Sequence, residues 1–160
     1  RLDPRLGTLA GTLPTATTRA AELRARLARL QARYAGARTV RVFYEIWNAP
    51  LYTVGGDHLI SQALRLCGGE NVFAALTLPA PGVSIEAVLA AQPQAILAGA
   101  DGAVRPAWLD DWKRWPTLPA VARGNLFTVD ANFLHRAGPR FVDGVEMLCA
   151  TRAEARAGLR

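Results

Sequence analysis

Residues 39–69, TVRVFYEIWNAPLYTVGGDHLISQALRLCGG, decide the fold of this chain. They begin with a β-branched and aromatic run, residues 39–46, which is typical of a buried strand. A loop with Pro50 and a glycine pair follows over residues 47–56, and Asp57 is expected to cap the helix that comes next. A buried strand, a loop and a helix in this order form one unit of a parallel α/β sheet.

The same unit recurs further along the chain. Residues 94–99 and 124–130 predict two more strands, and each follows a stretch with helical spacing. The first of these helices is expected to begin after Ser84, and the second spans residues 105–115. Strands that alternate with helices predict an α/β, Rossmann-like lobe, in which helices flank a parallel sheet. Ligands of such sheets contact the loops at the carboxyl ends of the strands.

A long helix with one apolar side precedes the first strand. Residues 19–35 have helical periodicity, whereas residues 1–17 are rich in Gly, Thr and Pro and are expected to be irregular. The apolar stripe consists of Leu23, Leu27, Leu30 and Tyr34. Arginines occupy the rest of the helix surface, so the helix is expected to pack on one side only. An uncovered stripe would favour self-association of the lobe.

Composition limits the classes of function. The 160 residues are enough for one domain with a core, and no apolar run approaches the roughly 20 residues of a membrane span. The net charge is +6, but the arginines are scattered and do not interleave with aromatic residues, so no nucleic-acid partner is expected. The chain starts at Arg1 without a secretory signal, so we expect a processed protein or a piece of a longer one.

The two cysteines, Cys67 and Cys149, fall on apolar faces near the ends of predicted helices. They are either two separate buried thiols or one long-range disulfide. Neither has a second cysteine or a histidine at metal-ligand spacing, so no metal site is expected. We favour the disulfide, which implies an oxidising compartment.

No catalytic constellation is recognisable. The histidines, His58 and His135, lie in or beside loops without the spacing of a metalloenzyme, and a lone histidine is more often a surface or capping residue. Nucleophile-elbow, Walker and dinucleotide-binding motifs are absent from the sequence. We therefore expect a protein that is not an enzyme and that needs no cofactor.

Aromatic and polar side chains follow two of the predicted strands. Flat aromatic rings with a few hydrogen-bond donors suit a large planar ligand, so these loops predict a binding surface. The residues are Trp47, Asn48 and Tyr52 after the first strand, and Asn132, Phe133, His135 and Arg136 after the third.

Glu86 lies in the first turn of the helix that Ser84 is expected to cap. A carboxylate at this position complements the helix dipole. It is equally able to meet an arginine on a partner protein.

Several motifs together resemble the substrate-binding proteins of cobalamin and of ferric-siderophore or haem ABC importers, and most of all the cobalamin branch. The segments that carry the resemblance are RVFYEIWNAPLYTVGG (41–56), CGGENVFA (67–74), VSIEAVLAAQPQAIL (83–97), WPTLPAVARGNLFTVD (115–130) and HRAGPRFVDGVEMLC (135–149). In cobalamin binders a tryptophan often occurs within the segment that here reads LPAPGVS, where this chain has Ala80.

The resemblance implies a domain organisation. Members of that family have two α/β lobes joined by one long helix, with the ligand between the lobes. Residues 18–36 would be the inter-lobe helix and residues 37–160 the C-terminal lobe, preceded by the irregular segment 1–17. The N-terminal lobe would not be part of this chain.

The resemblance also implies roles for single residues. Tyr52 and Arg136 match ligand-facing positions, while Trp47, Asn132 and His135 lie in the same loops. Glu86 matches a surface glutamate that docks on arginines of the membrane permease. Cys67 and Cys149 match paired positions of the lobe.

The expected function is therefore periplasmic binding of a corrinoid such as cobalamin and its delivery to an ABC importer permease. The alternative ligand within the family is haem or a ferric siderophore. His135 or Tyr52 would coordinate the haem iron, and Arg136 would form an ion pair with an anionic siderophore. An alternative from another class is an interaction or sensor module that has lost transport.

Overall fold

The computed structural model describes residues 13–102, 104–135 and 138–157. The strands are β1 (Val40–Glu45), β2 (Trp47–Asn48), β3 (Leu51–Tyr52), β4 (Gly69–Asn71), β5 (Ala95–Ala100) and β6 (Leu126–Asp130). The helices are α1 (Leu13–Tyr34), α2 (Leu59–Leu66), α3 (Ile85–Ala91), a 3₁₀ helix (Ala107–Arg114), α4 (Pro119–Ala122), α5 (Ala131–Leu134) and α6 (Arg140–Ala157). Among the described helices, none is both long and apolar enough to cross a bilayer.

The predicted α/β fold with a flanked parallel sheet is confirmed. Four parallel strands pair in the order β4-β1-β5-β6, and β2 and β3 form a separate antiparallel hairpin. Strand β1 is one of the two inner strands and is apolar on both faces from Val42 to Tyr44, as a parallel sheet with helices on each side requires. Val42 and Tyr44 pack in the layer of α1, α2 and α6, whereas Phe43 packs in the layer of α3, the 3₁₀ helix and α4.

Several short elements lie where the sequence predicted none, among them the single turn α4. Strand β4 consists of Gly69, Glu70 and Asn71, which are poor strand formers, and it exists because it pairs in parallel with residues 40–42 of β1. The segment predicted as a loop over residues 47–56 contains the β2–β3 hairpin, and the segment predicted as a loop over 131–138 begins with the single turn α5.

One of the two predicted helix caps is wrong. Helix α2 is capped by His58 and not by Asp57: Nδ1 of the imidazole accepts a hydrogen bond from the backbone N–H of Ile60 at 3.2 Å. Ser84 caps α3 as predicted, since its hydroxyl oxygen accepts from the N–H of Ala87 at 3.1 Å. The imidazole of His58 therefore takes the capping role that was expected of the Asp57 carboxylate.

Helix α1 starts at Leu13, so residues 13–17, which were expected to be irregular, are helical. Its apolar stripe is covered within the chain: Leu23 and Tyr34 are buried, and Leu27 and Leu30 pack against the core. The stripe is therefore not an open surface through which the lobe would self-associate.

Helix α1 is also held to α6 by charge. The guanidinium of Arg26 donates to Glu146 through Nε and Nη2 and to Asp143 through Nη2, with the shortest contacts at 2.7 Å. The hydrogen bonds that Arg26 donates to these two carboxylates raise the pKa of Arg26, which stays charged. Packing and ion pairs together fix the long helix against the sheet domain.

The predicted disulfide is present. Cys67 and Cys149 are bonded, with their Cα atoms 4.9 Å apart. Cys67 is the C-cap of α2, near a helix end as expected. Cys149 was also expected near a helix end, but it lies in the middle of α6. The bond therefore attaches the end of one core helix to the centre of another.

Candidate ligand-binding site

Strands β1, β5 and β6 end at one edge of the sheet, which we call the carboxyl edge. It is marked by Glu45, Ala100 and Asp130, the last residues of these three strands. The loops that carry the predicted ligand-binding residues leave from this edge, which is where parallel sheets bind ligands.

The β2–β3 hairpin presents two aromatic side chains next to each other. Trp47 and Tyr52 are direct partners across the two strands, and the turn between them contains the cis peptide bond before Pro50. The indole N–H of Trp47 donates to the carbonyl oxygen of Ala49 at 3.0 Å, which fixes the ring. With 54% and 39% of their surfaces exposed, Trp47 and Tyr52 offer apolar surface to a ligand.

A buried polar network holds the base of the hairpin. The hydroxyl of Thr53 donates to the carbonyl oxygen of Tyr44 at 2.7 Å. The side-chain amide of Asn71 donates to the carbonyl oxygen of Val54 at 2.7 Å and to the hydroxyl of Ser61 at 2.8 Å. All of these side chains are buried, so the network positions the hairpin rigidly relative to β1 and α2.

The glycine pair after the hairpin allows a second segment of backbone to approach closely. A Cβ on Gly55 would overlap the carbonyl oxygen of Leu78, and one on Gly56 would overlap that of Ala74. The N–H of Gly56 donates to the carbonyl oxygen of Leu76 at 3.0 Å. Glycine is required here for space.

Two histidines lie at the carboxyl edge beside a buried tyrosine. The hydroxyl of Tyr44 and Nε2 of His135 are hydrogen-bonded at 3.2 Å. Burial lowers the pKa of His58 and of His135, and the nearby His135 lowers that of His58 further. Burial, and secondarily the charge of Asp130, raises the pKa of the Tyr44 hydroxyl, so this group stays protonated. The edge therefore presents neutral imidazoles at pH 7.

A separate groove of about 750 Å³ lies where β6 passes into α5 and α6. It contains Asn132, whose backbone N–H donates to the side chain of Asp130 at 2.9 Å. Within the part of the chain that the structure describes, Trp47 and Tyr52 do not line this groove. Its lining residues are Arg19, Asp130, Asn132, Phe133, Gly138, Pro139 and Arg140.

The start of α3, with Glu86, lies directly beside the hairpin. The N–H of Val83 donates to the carbonyl oxygen of Leu51 at 3.0 Å, and Tyr52 forms an antiparallel bridge with Gly82. Glu86 is exposed in the first turn of α3. The segment just before the residue predicted to dock on a permease is therefore hydrogen-bonded to the hairpin predicted to bind ligand.

The structure thus brings some of the predicted site residues together and leaves one undescribed. Trp47 pairs with Tyr52, and His135 lies at the same edge of the sheet. Asn132 lies in the neighbouring groove, and Arg136 is outside the described residues. The sequence reasoning missed Tyr44, because a buried strand residue showed no sign that its hydroxyl reaches the loop after β6.

The family of the chain follows from comparison with known proteins. Residues 5–133, more than half of the chain, match the family described as periplasmic binding protein. The chain belongs to the periplasmic binding protein family. The predicted resemblance to these solute-binding proteins is confirmed, and it is consistent with the expectation that the chain is not an enzyme.

Curated relatives are named vitamin B12-binding protein. The chain is 37% identical over 129 residues to the one of Vibrio cholerae, and the match covers 80% of this chain and 46% of that protein. It is 37% identical over 131 residues to the one of Photorhabdus laumondii, covering 81% and 45%. The chain spans about half the length of the curated relatives it matches.

Solved structures have the same fold. The periplasmic vitamin B12 binding protein BtuF of Vibrio cholerae superimposes with a TM-score of 0.77 at 33% identity, covering 91% of this chain and 55% of that one. The periplasmic heme-binding protein RhuT from Roseiflexus sp. RS-1 superimposes with a TM-score of 0.80 at 19% identity, covering 93% and 59%. At this low identity the second likeness concerns the fold alone.

Proposed function

We propose that this chain is the C-terminal lobe and inter-lobe helix of a two-lobed protein that binds a corrinoid such as cobalamin. The observation that carries the proposal is the exposed Trp47–Tyr52 pair at the carboxyl edge, in a chain whose curated relatives are named vitamin B12-binding protein. The matched share of these relatives, about half of their length, supports the assignment to one lobe. Residues 18–36 would be the helix between the lobes.

The hairpin would supply the apolar part of the contact. Trp47 and Tyr52 are held side by side by the hairpin and by its buried base, so little freedom is lost when a large ring packs on them. Asn132, His135 and Arg136 would add the polar contacts that orient the ligand. Ala80 offers no stacking surface, and the exposed indole of Trp47 would take that role.

Delivery to a membrane permease would use Glu86. This exposed carboxylate is at the same edge as the hairpin, so a partner that docks on α3 would lie next to the bound ligand. A charged contact at the rim of an interface contributes register and association rate more than affinity. The periplasm as the compartment is supported by the Cys67–Cys149 disulfide, since such bonds persist in oxidising environments.

Haem is a second candidate ligand, favoured by one observation. His58 and His135 are both at the carboxyl edge, and burial holds the pKa of each below its usual range, so unprotonated imidazoles are available at neutral pH. A neutral imidazole is a ligand for haem iron. A ferric siderophore remains the alternative in which Arg136 would pair with an anionic group.

A spectral titration separates these ligands. The complete protein is titrated with cyanocobalamin, with haemin and with a ferric hydroxamate siderophore, while the absorption of each ligand is followed. We expect a saturable response with cyanocobalamin. A saturable change with haemin that is lost in His135→Ala, together with no response to cyanocobalamin, would replace the corrinoid by haem.

The docking role of Glu86 is tested in a transport assay. Glu86→Gln is expected to slow uptake of labelled cobalamin while leaving its equilibrium binding unchanged. Glu70→Gln is the matched control, because Glu70 is also exposed but belongs to β4. Equal uptake by the two variants would remove Glu86 from the docking surface.

A further inference from the structure

A second, smaller cavity lies on the other face of the sheet from the histidines. Its volume is about 90 Å³, and it is bordered by the β2–β3 hairpin, the start of α3 and the 3₁₀ helix. It is too small for a corrin or haem ring and has room for a group of a few heavy atoms. Three of the four tryptophans of the chain line it, namely Trp108, Trp112 and Trp115.

A buried carboxylate forms part of the cavity wall. Glu45, the last residue of β1, is 1% exposed, and its Oε2 accepts a hydrogen bond from Nε1 of Trp112 at 2.8 Å. Among the described residues, no cation lies at ion-pair distance from this side chain. Burying an ionised carboxylate without a counter-charge is costly, so a cation in the cavity would stabilise the ionised form of Glu45.

The charged side chains at the rim do not fill this role. Asp111 and Arg114 also line the cavity, but they pair with each other at 3.5 Å and both are largely exposed. Arg114 has 73% of its side chain in solvent, so its guanidinium is not inside. The rim therefore leaves the carboxylate of Glu45 without a counter-charge.

The aromatic walls favour an organic cation over a metal ion. The ring centroids of Trp112 and Trp115 are 5.5 Å apart at an interplanar angle of 47°, which gives the cavity two inclined indole walls. The faces of aromatic rings attract cations, and indole does so best. Ca²⁺ or Mg²⁺ would need about six oxygen ligands, which a wall of indoles does not supply.

We propose that this cavity binds a small organic cation of the alkylammonium class, with Glu45 as its counter-charge and Trp108, Trp112 and Trp115 as its aromatic walls. This site adjoins the surface proposed for the corrinoid, because Asn48 and Leu51 of the β2–β3 hairpin line it. It does not depend on that function, since none of the residues that carry it is assigned to corrinoid binding.

Tetramethylammonium is the probe that tests the site. It is titrated into the purified protein while tryptophan fluorescence and the NMR signals of the indole N–H groups are followed. We expect a saturable response that includes the indole N–H of Trp112. The uncharged isostere tert-butanol is expected to bind at least tenfold more weakly, because it has no charge for Glu45 to neutralise.

Two variants assign the response to the cavity. Glu45→Gln keeps an oxygen that accepts from Trp112, so it should fold, and it is expected to weaken tetramethylammonium binding at least tenfold. Trp108→Leu is expected to weaken it severalfold, and thermal unfolding checks that both variants are folded. Glu70→Gln, which removes an exposed carboxylate on β4, is the matched control and should bind as the wild type does.

The affinity should also depend on pH. Burial raises the pKa of Glu45 to about 7, although the hydrogen bond from Trp112 opposes this. The ionised fraction then rises about tenfold between pH 6 and pH 8, and the affinity for the cation should rise with it. Asp111 and Arg114 face the same cavity, and the two histidines titrate on the other face of the sheet. Glu45→Gln, which is expected to show no such rise, is therefore the reference.

Three results would overturn the site. One is the absence of a saturable response to tetramethylammonium in the wild type. Another is binding of tert-butanol as tight as that of the cation, and the third is unchanged affinity in Glu45→Gln.

Discussion

The hydroxyl of Tyr44 and Nε2 of His135 lie 3.2 Å apart, although 91 positions separate them in the chain. This hydrogen bond connects the inner strand β1 to the end of α5, the turn that follows β6. There is no room for a larger side chain beside it, since a Cβ on Gly99 would be 2.6 Å from the Tyr44 oxygen. The pair fixes one side of the ligand-binding edge.

Both histidines are expected to titrate below the usual histidine pKa of about 6.5. Burial is the main cause for each, and His135 lowers the pKa of His58 further. Between the folded-state pKa and 6.5 the unfolded chain binds more protons, so this contribution to stability is gained as the pH rises through that window. Proton NMR of the imidazole signals measures both values, and a His135 pKa above 6.5 would contradict the expectation.

Glu45 is expected to act in the opposite direction. Its pKa is raised to about 7 in the folded protein, so between pH 4.5 and pH 7 the folded state binds more protons than the unfolded one. The free energy of unfolding therefore falls as the pH rises through that window. For a shift of this size the total loss is about 3 kcal/mol. Glu45→Gln should therefore be more stable than the wild type at pH 8 and close to it at pH 4. Urea unfolding of the wild type and of Glu45→Gln at the two pH values measures the difference. Equal unfolding curves for the two proteins at pH 8 would show that the buried, ionised Glu45 does not destabilise the fold.

Reduction of the disulfide is expected to cost about 4 kcal/mol of stability, because the bond closes a loop of 82 positions in the unfolded chain. Urea unfolding with and without dithiothreitol measures this loss. The control is the double variant Cys67→Ala, Cys149→Ala, on which the reductant should have no effect. An identical unfolding midpoint for the oxidised and reduced wild type would contradict the expectation.

Gly56→Ala is expected to destabilise the protein by about 2 kcal/mol or more, because the added methyl group would overlap the carbonyl oxygen of Ala74. Gly36→Ala is the comparison: a Cβ there meets nothing within 4 Å, although its positive φ of 73° adds strain. Thermal unfolding should show a larger loss for Gly56→Ala. A larger loss at Gly36 would mean that backbone strain outweighs the steric conflict.

The sequence predicts those parts of the fold that depend on local patterning. Strand β1 was predicted because every residue from Val42 to Tyr44 is apolar or aromatic, which suits a strand buried on both faces. Strand β4, of Gly69, Glu70 and Asn71, has no such pattern and is formed by its pairing with β1. A pairing partner far along the chain leaves no trace in the local sequence.

In the site, too, the local features were predicted and the features formed by distant residues were not. Trp47 and Tyr52 were predicted as neighbours in one loop, and a two-residue turn brings them into register. The contact of Tyr44 with His135 and the cavity at Glu45 both depend on tertiary packing across many residues of chain. The cap of α2 was missed by one position, because His58 and Asp57 both offer an acceptor and only the backbone geometry chooses between them.

The central claim is that the Trp47–Tyr52 hairpin binds a corrinoid. The most direct measurement is calorimetric titration of cyanocobalamin into the complete protein, its Tyr52→Ala variant and its Met147→Ala variant, a control exposed on α6. We expect one site per protein, at least tenfold weaker binding in Tyr52→Ala, and unchanged binding in Met147→Ala. No heat of binding in the wild type, or equal affinities for the wild type and Tyr52→Ala, would contradict the claim.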